Sequence, residues 1–131
     1  MKSRESYLQS ECVKWFRYQY SRMASLLIHV PNGGSRSKME VTQKDGTIKK
    51  FCREGKELKE MGATAGVSDL LLLIPRSGFG CLCIEMKTEI GKQSKEQSLW
   101  QIEAEKAGNK YVLCRNVDQF RSEVNNYLSQ K

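Results

Sequence analysis

The sequence predicts an α/β domain in which a central mixed β-sheet is flanked by α-helices. Three observations carry that expectation. Amphipathic helical patterns stand at both ends of the chain, and short apolar runs bounded by turn residues lie between them. A capping box also opens a helix between two of those runs. A length of 131 residues fits a single domain, residues 1–131.

Residues 5–20 read as an amphipathic helix, because Leu8, Cys12, Trp15, Phe16 and Gln19 fall on one face. Glu5 lies on the same side as Leu8 and Phe16, which turns an acid toward the packed face. Residues 25–30 form an aliphatic and β-branched run stopped by Pro31-Asn32-Gly33-Gly34, a strong turn signal. Residues 39–52 read as a hairpin with Asp45-Gly46 at its tip. Residues 54–61 form a short helix that Gly62 closes. A small-residue loop, Ala63 to Ser68, leads into Asp69 and the apolar strand Leu70 to Ile74. Pro75 to Gly80 turn the chain into a second strand, Cys81 to Lys87. Ser94-Lys95-Glu96-Gln97 matches a capping box, and its helix ends near Gly108. Tyr111 to Cys114 is a further strand, and Val117, Phe120, Val124, Tyr127 and Leu128 mark a last amphipathic helix.

Composition narrows the function classes. At 39% hydrophobic and 28% charged, the chain is that of a folded protein and not a disordered one. Its longest apolar run, Leu70 to Ile74, is far short of the ~20 residues of a membrane span. Polar sequence follows Met1-Lys2-Ser3-Arg4-Glu5, so no secretory signal and no membrane partner are expected. Five cysteines without finger-like spacing suit reduced thiols in the cytoplasm. Lys plus Arg number 22 against 15 Asp plus Glu, and a net charge of +7 suits a polyanionic partner.

The candidate chemistry centres on Ile84-Glu85-Met86-Lys87. Strand alternation projects Glu85 and Lys87 from one face and Ile84 and Met86 from the other. A hairpin turning near Gly78 sets residue 69 opposite residue 87, with residue 85 as the diagonal neighbour. Diagonal neighbours lie ~7–8 Å apart, so the carboxylates of Asp69 and Glu85 can lean toward a shared ion. Two hard carboxylates beside a lysine suit Mg²⁺, which keeps its other positions for water and phosphate. The lysine then orients or helps deprotonate the attacking water, or offsets charge building on the phosphate. Plainer readings stand beside these: Asp69 as a turn residue, Gln97 as part of the capping box, and Glu5 as a first-turn acid facing the helix dipole.

Taken together, Gly66-Val67-Ser68-Asp69-Leu70, Glu85-Met86-Lys87 and Gln97-Ser98-Leu99-Trp100 resemble the VRR-NUC (virus-type replication-repair nuclease) family. That family belongs to the PD-(D/E)XK nuclease superfamily with the restriction-endonuclease-like fold. Glu5-Ser6-Tyr7-Leu8-Gln9, His29-Val30-Pro31-Asn32-Gly33-Gly34 and Lys59-Glu60-Met61-Gly62 also resemble stand-alone phage members, so the likeness covers nearly the whole chain. The resemblance implies a metal-dependent phosphodiesterase acting on DNA with Mg²⁺ or Mn²⁺. By that resemblance Asp69 and Glu85 hold the ion, the carbonyl of Met86 adds a ligand, and Lys87 is the catalytic lysine. Gln97 resembles the glutamine that completes the site. A first-helix glutamate joins it, with Glu5 the better fit because it opens the Glu-x-x-Leu-Gln pattern and Glu11 the alternative. Ser68 stands where the superfamily motif has proline, and the 37–52 hairpin looks longer than in compact members. Stand-alone members resemble Holliday-junction resolvases that act on branched DNA as homodimers, in the host cytoplasm when phage-encoded. A non-catalytic nucleic-acid-binding module on the same fold is the alternative, and intact Asp69, Glu85 and Lys87 argue against it.

Several other residues are candidates for DNA contact. Asn32, Gly33 and Arg36 form a loop able to grip backbone phosphate, and turn chemistry explains them equally well. Lys59 belongs to a basic stretch with Lys49, Lys50, Arg53 and Lys56, balanced by Glu54, Glu57 and Glu60. His29 sits in an apolar run and reads as a core histidine. Cys81 and Cys83 read as small buried hydrophobes, and Trp15, Phe16 and Trp100 as packing aromatics.

Overall fold

The first helix begins where the sequence supplies a cap. In the computed structural model, which describes residues 3–31, 39–42, 48–51 and 53–131, the Ser3 hydroxyl accepts the Ser6 N–H at 3.1 Å. Helix α1 then runs Arg4–Gln19, burying Cys12 and Phe16 with Leu8, Val13 and Trp15 packed beside them. Gln19, expected on that face, is exposed. The helix ends there and Tyr20 takes up the packing, its ring stacked on Phe16 at 5.3 Å. A 3-10 segment, Ser21–Leu26, takes the first two residues of the aliphatic run, so strand β1 is only Leu27–His29.

The described chain divides into two compact units, Met1–Pro31 with Gly66–Lys131, and Asn32–Ala65. In the second unit β2 (Met39–Thr42) and β3 (Ile48–Phe51) pair antiparallel, as the hairpin pattern predicts; the Asp45-Gly46 tip lies outside the described residues. Helix α2, Arg53–Glu60, stops at Gly62, whose φ is +108°. There the Ala63 N–H donates to the Leu58 carbonyl at 2.8 Å and the Gly62 N–H to that of Lys59 at 3.1 Å. That pair of bonds is the Schellman closure, for which glycine supplies the left-handed backbone.

The first unit holds the main sheet, in the order β1-β4-β5-β6 with β4 at Leu70–Leu72, β5 at Leu82–Met86 and β6 at Lys110–Cys114. The β1/β4 and β4/β5 pairs are antiparallel and β5/β6 is parallel. A parallel pair needs a crossover, and α3 (Lys95–Lys106) provides it. Alternation then sorts the side chains. Leu70, Leu72, Leu82, Ile84, Met86, Val112 and Cys114 form one core with Cys12 and Phe16 of α1 and with Phe120, Val124 and Tyr127 of α4, Val117–Ser129. On the other face Cys83 and Tyr111 pack against Ala104 and Trp100 of α3. Thus β5 is buried on both sides.

The β4/β5 register differs from the expected one. Leu70 pairs with Ile84 and Leu72 with Leu82, so one further step sets Asp69 opposite Glu85 and not Lys87. The hairpin turns on Ser77-Gly78, both at positive φ, with Arg76 and Phe79 exchanging backbone bonds at 3.2 and 2.8 Å. Between that bridge and the strands, the β4 side carries one more residue than the β5 side. Pro75 has no N–H for a ladder, and the Ile74 N–H turns back to the Leu72 carbonyl at 2.9 Å. This local kink absorbs the extra residue.

One hydrogen bond ties α4 to that kink. The buried Tyr127 hydroxyl donates to the Ile74 carbonyl at 2.6 Å. Tyr127→Phe is therefore expected to cost about 1–3 kcal/mol, because the carbonyl loses that partner in a dry setting. Chemical denaturation should show a lower midpoint at unchanged slope, and an unchanged midpoint would contradict the contact.

Candidate active site

Asp69 is fixed through its backbone and its side chain at once. Its carbonyl accepts the Val30 N–H at 2.9 Å and lies 2.9 Å from His29 Nδ1. The Gln9 amide lies 3.0 Å from the same ring nitrogen. His29 is exposed and not a core residue, because β1 is an edge strand that buries only Leu27. On the side chain, Oδ2 accepts the Met86 N–H at 2.8 Å, so the carboxylate of one strand caps the end of the next.

Glu85 is the most constrained acid of the site. It is 0% exposed, and its Oε2 accepts the Tyr111 hydroxyl at 3.2 Å while Oε1 has no partner. Burial first, and then the neighbouring Asp69 carboxyl, push its carboxyl up to about 9 against the pull of Lys87 and of the Tyr111 hydroxyl. Glu5 is partly buried at the start of α1, and its carboxyl is raised by burial first and then by the charge of Asp69, while Lys87 lowers it. The fold thus brings both Glu5 and Glu85 within electrostatic reach of Asp69 and Lys87. Glu11 is exposed and lies 3.9 Å from Lys14 Nζ.

The loop before Asp69 lies hard against α3. Gly66 has φ +87°, and a Cβ there would sit 2.2 Å from the Glu96 carbonyl oxygen and 3.0 Å from the Gln97 nitrogen. Ser68 is fully buried and donates to the Leu70 carbonyl at 3.1 Å. Gln97 completes the capping box: its Oε1 accepts the Ser94 N–H at 2.8 Å, and its own N–H donates to Ser94 Oγ at 3.2 Å. Gln97 therefore borders the loop that carries Asp69, with its side-chain oxygen engaged at the helix start.

Sequence reasoning did not find Tyr111 or Gln93. The Gln93 amide nitrogen donates to the Tyr111 hydroxyl at 3.0 Å and to Gln101 Oε1 at 2.8 Å, while its oxygen accepts from Ser98 Oγ at 3.1 Å. Both amide hydrogens are used and the oxygen is engaged, so the amide fixes the hydroxyl that holds Glu85. Tyr111 lies beside Cys83 in the parallel register, on the same face as Glu85, a placement visible only once β5 and β6 are paired. Of the candidate DNA contacts, Lys59 is exposed on α2 in the second unit, and Asn32, Gly33 and Arg36 lie outside the described residues.

The donor set fits a hard divalent cation. A buried carboxyl with an orphaned oxygen next to a second carboxyl is short of either a proton or a cation. Among the described residues no three His, Cys, Asp or Glu side chains make a cage by themselves. Such a site suits an ion that takes a pair of carboxylates and fills its remaining positions from water and substrate.

Comparison with known proteins bears on the family and the fold. The VRR-NUC domain model matches residues 3–118. A solved structure described as a VRR_NUC domain protein superposes with a TM-score of 0.76 at 20% identity, covering 99% of this chain and 92% of that one. No curated protein matches the chain. Among the described residues, no helix is long and apolar enough to cross a membrane.

Proposed function

The chain belongs to the VRR-NUC domain family, a nuclease-type family, and on that premise we propose that it is a divalent-metal-dependent, structure-selective DNA endonuclease. In this reading it hydrolyses phosphodiester bonds and acts like a Holliday-junction resolvase in replication or repair. The observation that carries the reading is Glu85, a buried carboxyl with one orphaned oxygen, set beside Asp69 and Lys87.

Asp69, Glu85 and the Met86 carbonyl would hold Mg²⁺ or Mn²⁺, with Glu5 nearby. A bound ion of this kind makes water more acidic and neutralises charge on the phosphoryl oxygens. The rest falls to the chain itself. Lys87 brings a cation and three N–H donors to the carboxylates, where it orients the attacking water and offsets charge on the phosphate. Tyr111 holds Glu85 from behind, and Gln97 borders the loop before Asp69. The net charge of +7 favours a polyanion, with Lys59 and the 32–36 loop as further contacts. Two symmetric incisions in a four-way junction call for two sites related by a two-fold axis, hence a homodimer.

The test is cleavage of labelled four-way junction, flap, duplex and single-stranded DNA in Mg²⁺, Mn²⁺ or EDTA. Wild type is expected to make paired, metal-dependent cuts in the junction. Lys87→Ala should slow them ~10²–10⁴-fold while junction affinity changes little. Binding without cleavage under every metal condition would overturn the enzyme reading and leave a DNA-binding module.

A further inference from the structure

Arg115, the first residue after β6, spends its guanidinium on the chain that follows Lys87. Its Nη1 donates to the carbonyls of Gly91, Thr88 and Glu89 at 2.7, 2.8 and 3.2 Å. Nη1 has two hydrogens for these three acceptors, so one is shared. The segment they belong to is a tight turn closed by the Gly91 N–H on the Thr88 carbonyl at 3.2 Å. Burial does not anchor this turn. Its large apolar residue, Ile90, is 91% exposed, and the turn borders an open cavity of about 520 Å³ also lined by Arg4, Leu8, Asn116 and Val117. The clamp is itself fixed, since the Arg115 N–H donates to Gln119 Oε1 at 2.7 Å and the Lys87 N–H to the Cys114 carbonyl at 3.0 Å.

The turn in its place backs on Lys87. A Cβ at Gly91 would lie 3.4 Å from Lys87 Cδ and 3.6 Å from its Cβ, so the aliphatic stem runs along the turn. A lysine stem carries among the largest side-chain entropies, and its ammonium is only as well placed as the surface that confines it. We propose that Arg115 is a positioning residue for Lys87: by holding the 88–91 turn through three carbonyls, it fixes the wall against which the lysine stem lies. The catalytic consequence rests on the nuclease reading of Lys87.

The experiment is a double-mutant cycle on single-turnover cleavage of junction DNA, with thermal melts and junction Kd measured for each variant. Arg115→Ala is expected to slow cleavage about 10- to 100-fold with Kd within a few-fold, and Arg115→Lys to recover part of the rate. In the Lys87→Ala background the same change should cost less than about 2-fold, since the lysine it serves is gone. Equal losses in both backgrounds, or no loss in either, would overturn the proposal. A second readout needs no activity: the ¹³C-dimethyl signal of Lys87 after reductive methylation, assigned by its absence in Lys87→Arg. That signal should move toward the exposed-lysine position in Arg115→Ala, and an unmoved signal would overturn the proposal. If wild type cleaves nothing, the nuclease reading fails, and the inference is decided by the resonance.

Discussion

Glu85→Gln is expected to reduce cleavage by at least about 10²–10³-fold and, in EDTA, to make the protein more stable than wild type at neutral pH. Both effects come from one buried carboxyl. Burial, reinforced by Asp69, keeps Glu85 protonated in the folded chain up to about 9, against an ordinary value of 4.5. Between those values the folded chain holds a proton that the unfolded chain has released. The stability tied to Glu85 is therefore complete below pH 4.5 and falls as pH rises toward 9, the reverse of a salt-bridged carboxylate. Glu5, also raised, adds a slope of the same sign. Glutamine fills nearly the same space with no proton to lose, so the gap between variant and wild type opens with pH, to the order of a few kcal/mol. Thermal melts from pH 5 to 9 in EDTA, repeated with Mg²⁺ or Mn²⁺, measure this. Metal should raise the wild-type Tm most at high pH and barely move the variant. A flat wild-type profile, or a variant that cleaves normally, would remove Glu85 from the centre of the site.

Gly66→Ala is expected to be the most destabilising small substitution in the first unit. Its φ of +87° is strained for any side chain, and its Cβ would lie 2.2 Å from the backbone oxygen of Glu96. No side chain can swing aside to relieve that contact, because the obstacle is the first turn of α3. The loop bearing Asp69 must separate from the helix bearing Gln97, at a cost of about 3–5 kcal/mol. Gly78→Ala is the matched control, since Gly78 has φ +84° but nothing within 4 Å of a Cβ. It should cost only about 1 kcal/mol. Denaturation midpoints of the two variants would separate clash from backbone strain; equal midpoints would mean that the loop does not pack on α3 as described.

Much of the architecture was legible because its signals are local. Ser94 and Gln97 form the capping box at the expected residues, Gly62 closes α2, and the strand and helix order follows the apolar patterns. These features depend on residues within about four positions of one another, where φ preferences and short-range hydrogen bonds decide the outcome. The same alternation puts Ile84 and Met86 in one core and Glu85 on the opposite face. Where local composition is ambiguous the structure departs from the pattern. Ser25 and Leu26 went to a 3-10 segment, and the lone histidine of an apolar run proved exposed on an edge strand.

The sequence by itself singled out the candidate site residues: Asp69 ahead of an apolar strand, Glu85 and Lys87 two apart on the next, and Gln97 in a helix start. It also determined the family, through the order and spacing of those residues along nearly the whole chain. Only the tertiary structure decided how they meet. The kink at Pro75 shifts the strands by one position relative to the Arg76–Phe79 bridge and sets Asp69 across from Glu85, two positions from the partner a symmetric turn at Gly78 predicts. Tyr111 reaches Glu85, and Arg115 reaches the turn after Lys87, through a parallel crossover of more than twenty residues. Burial is the same kind of fact. A glutamate in a sequence is an ordinary acid, and it becomes one that retains its proton to about 9 only when two layers of side chains close over it.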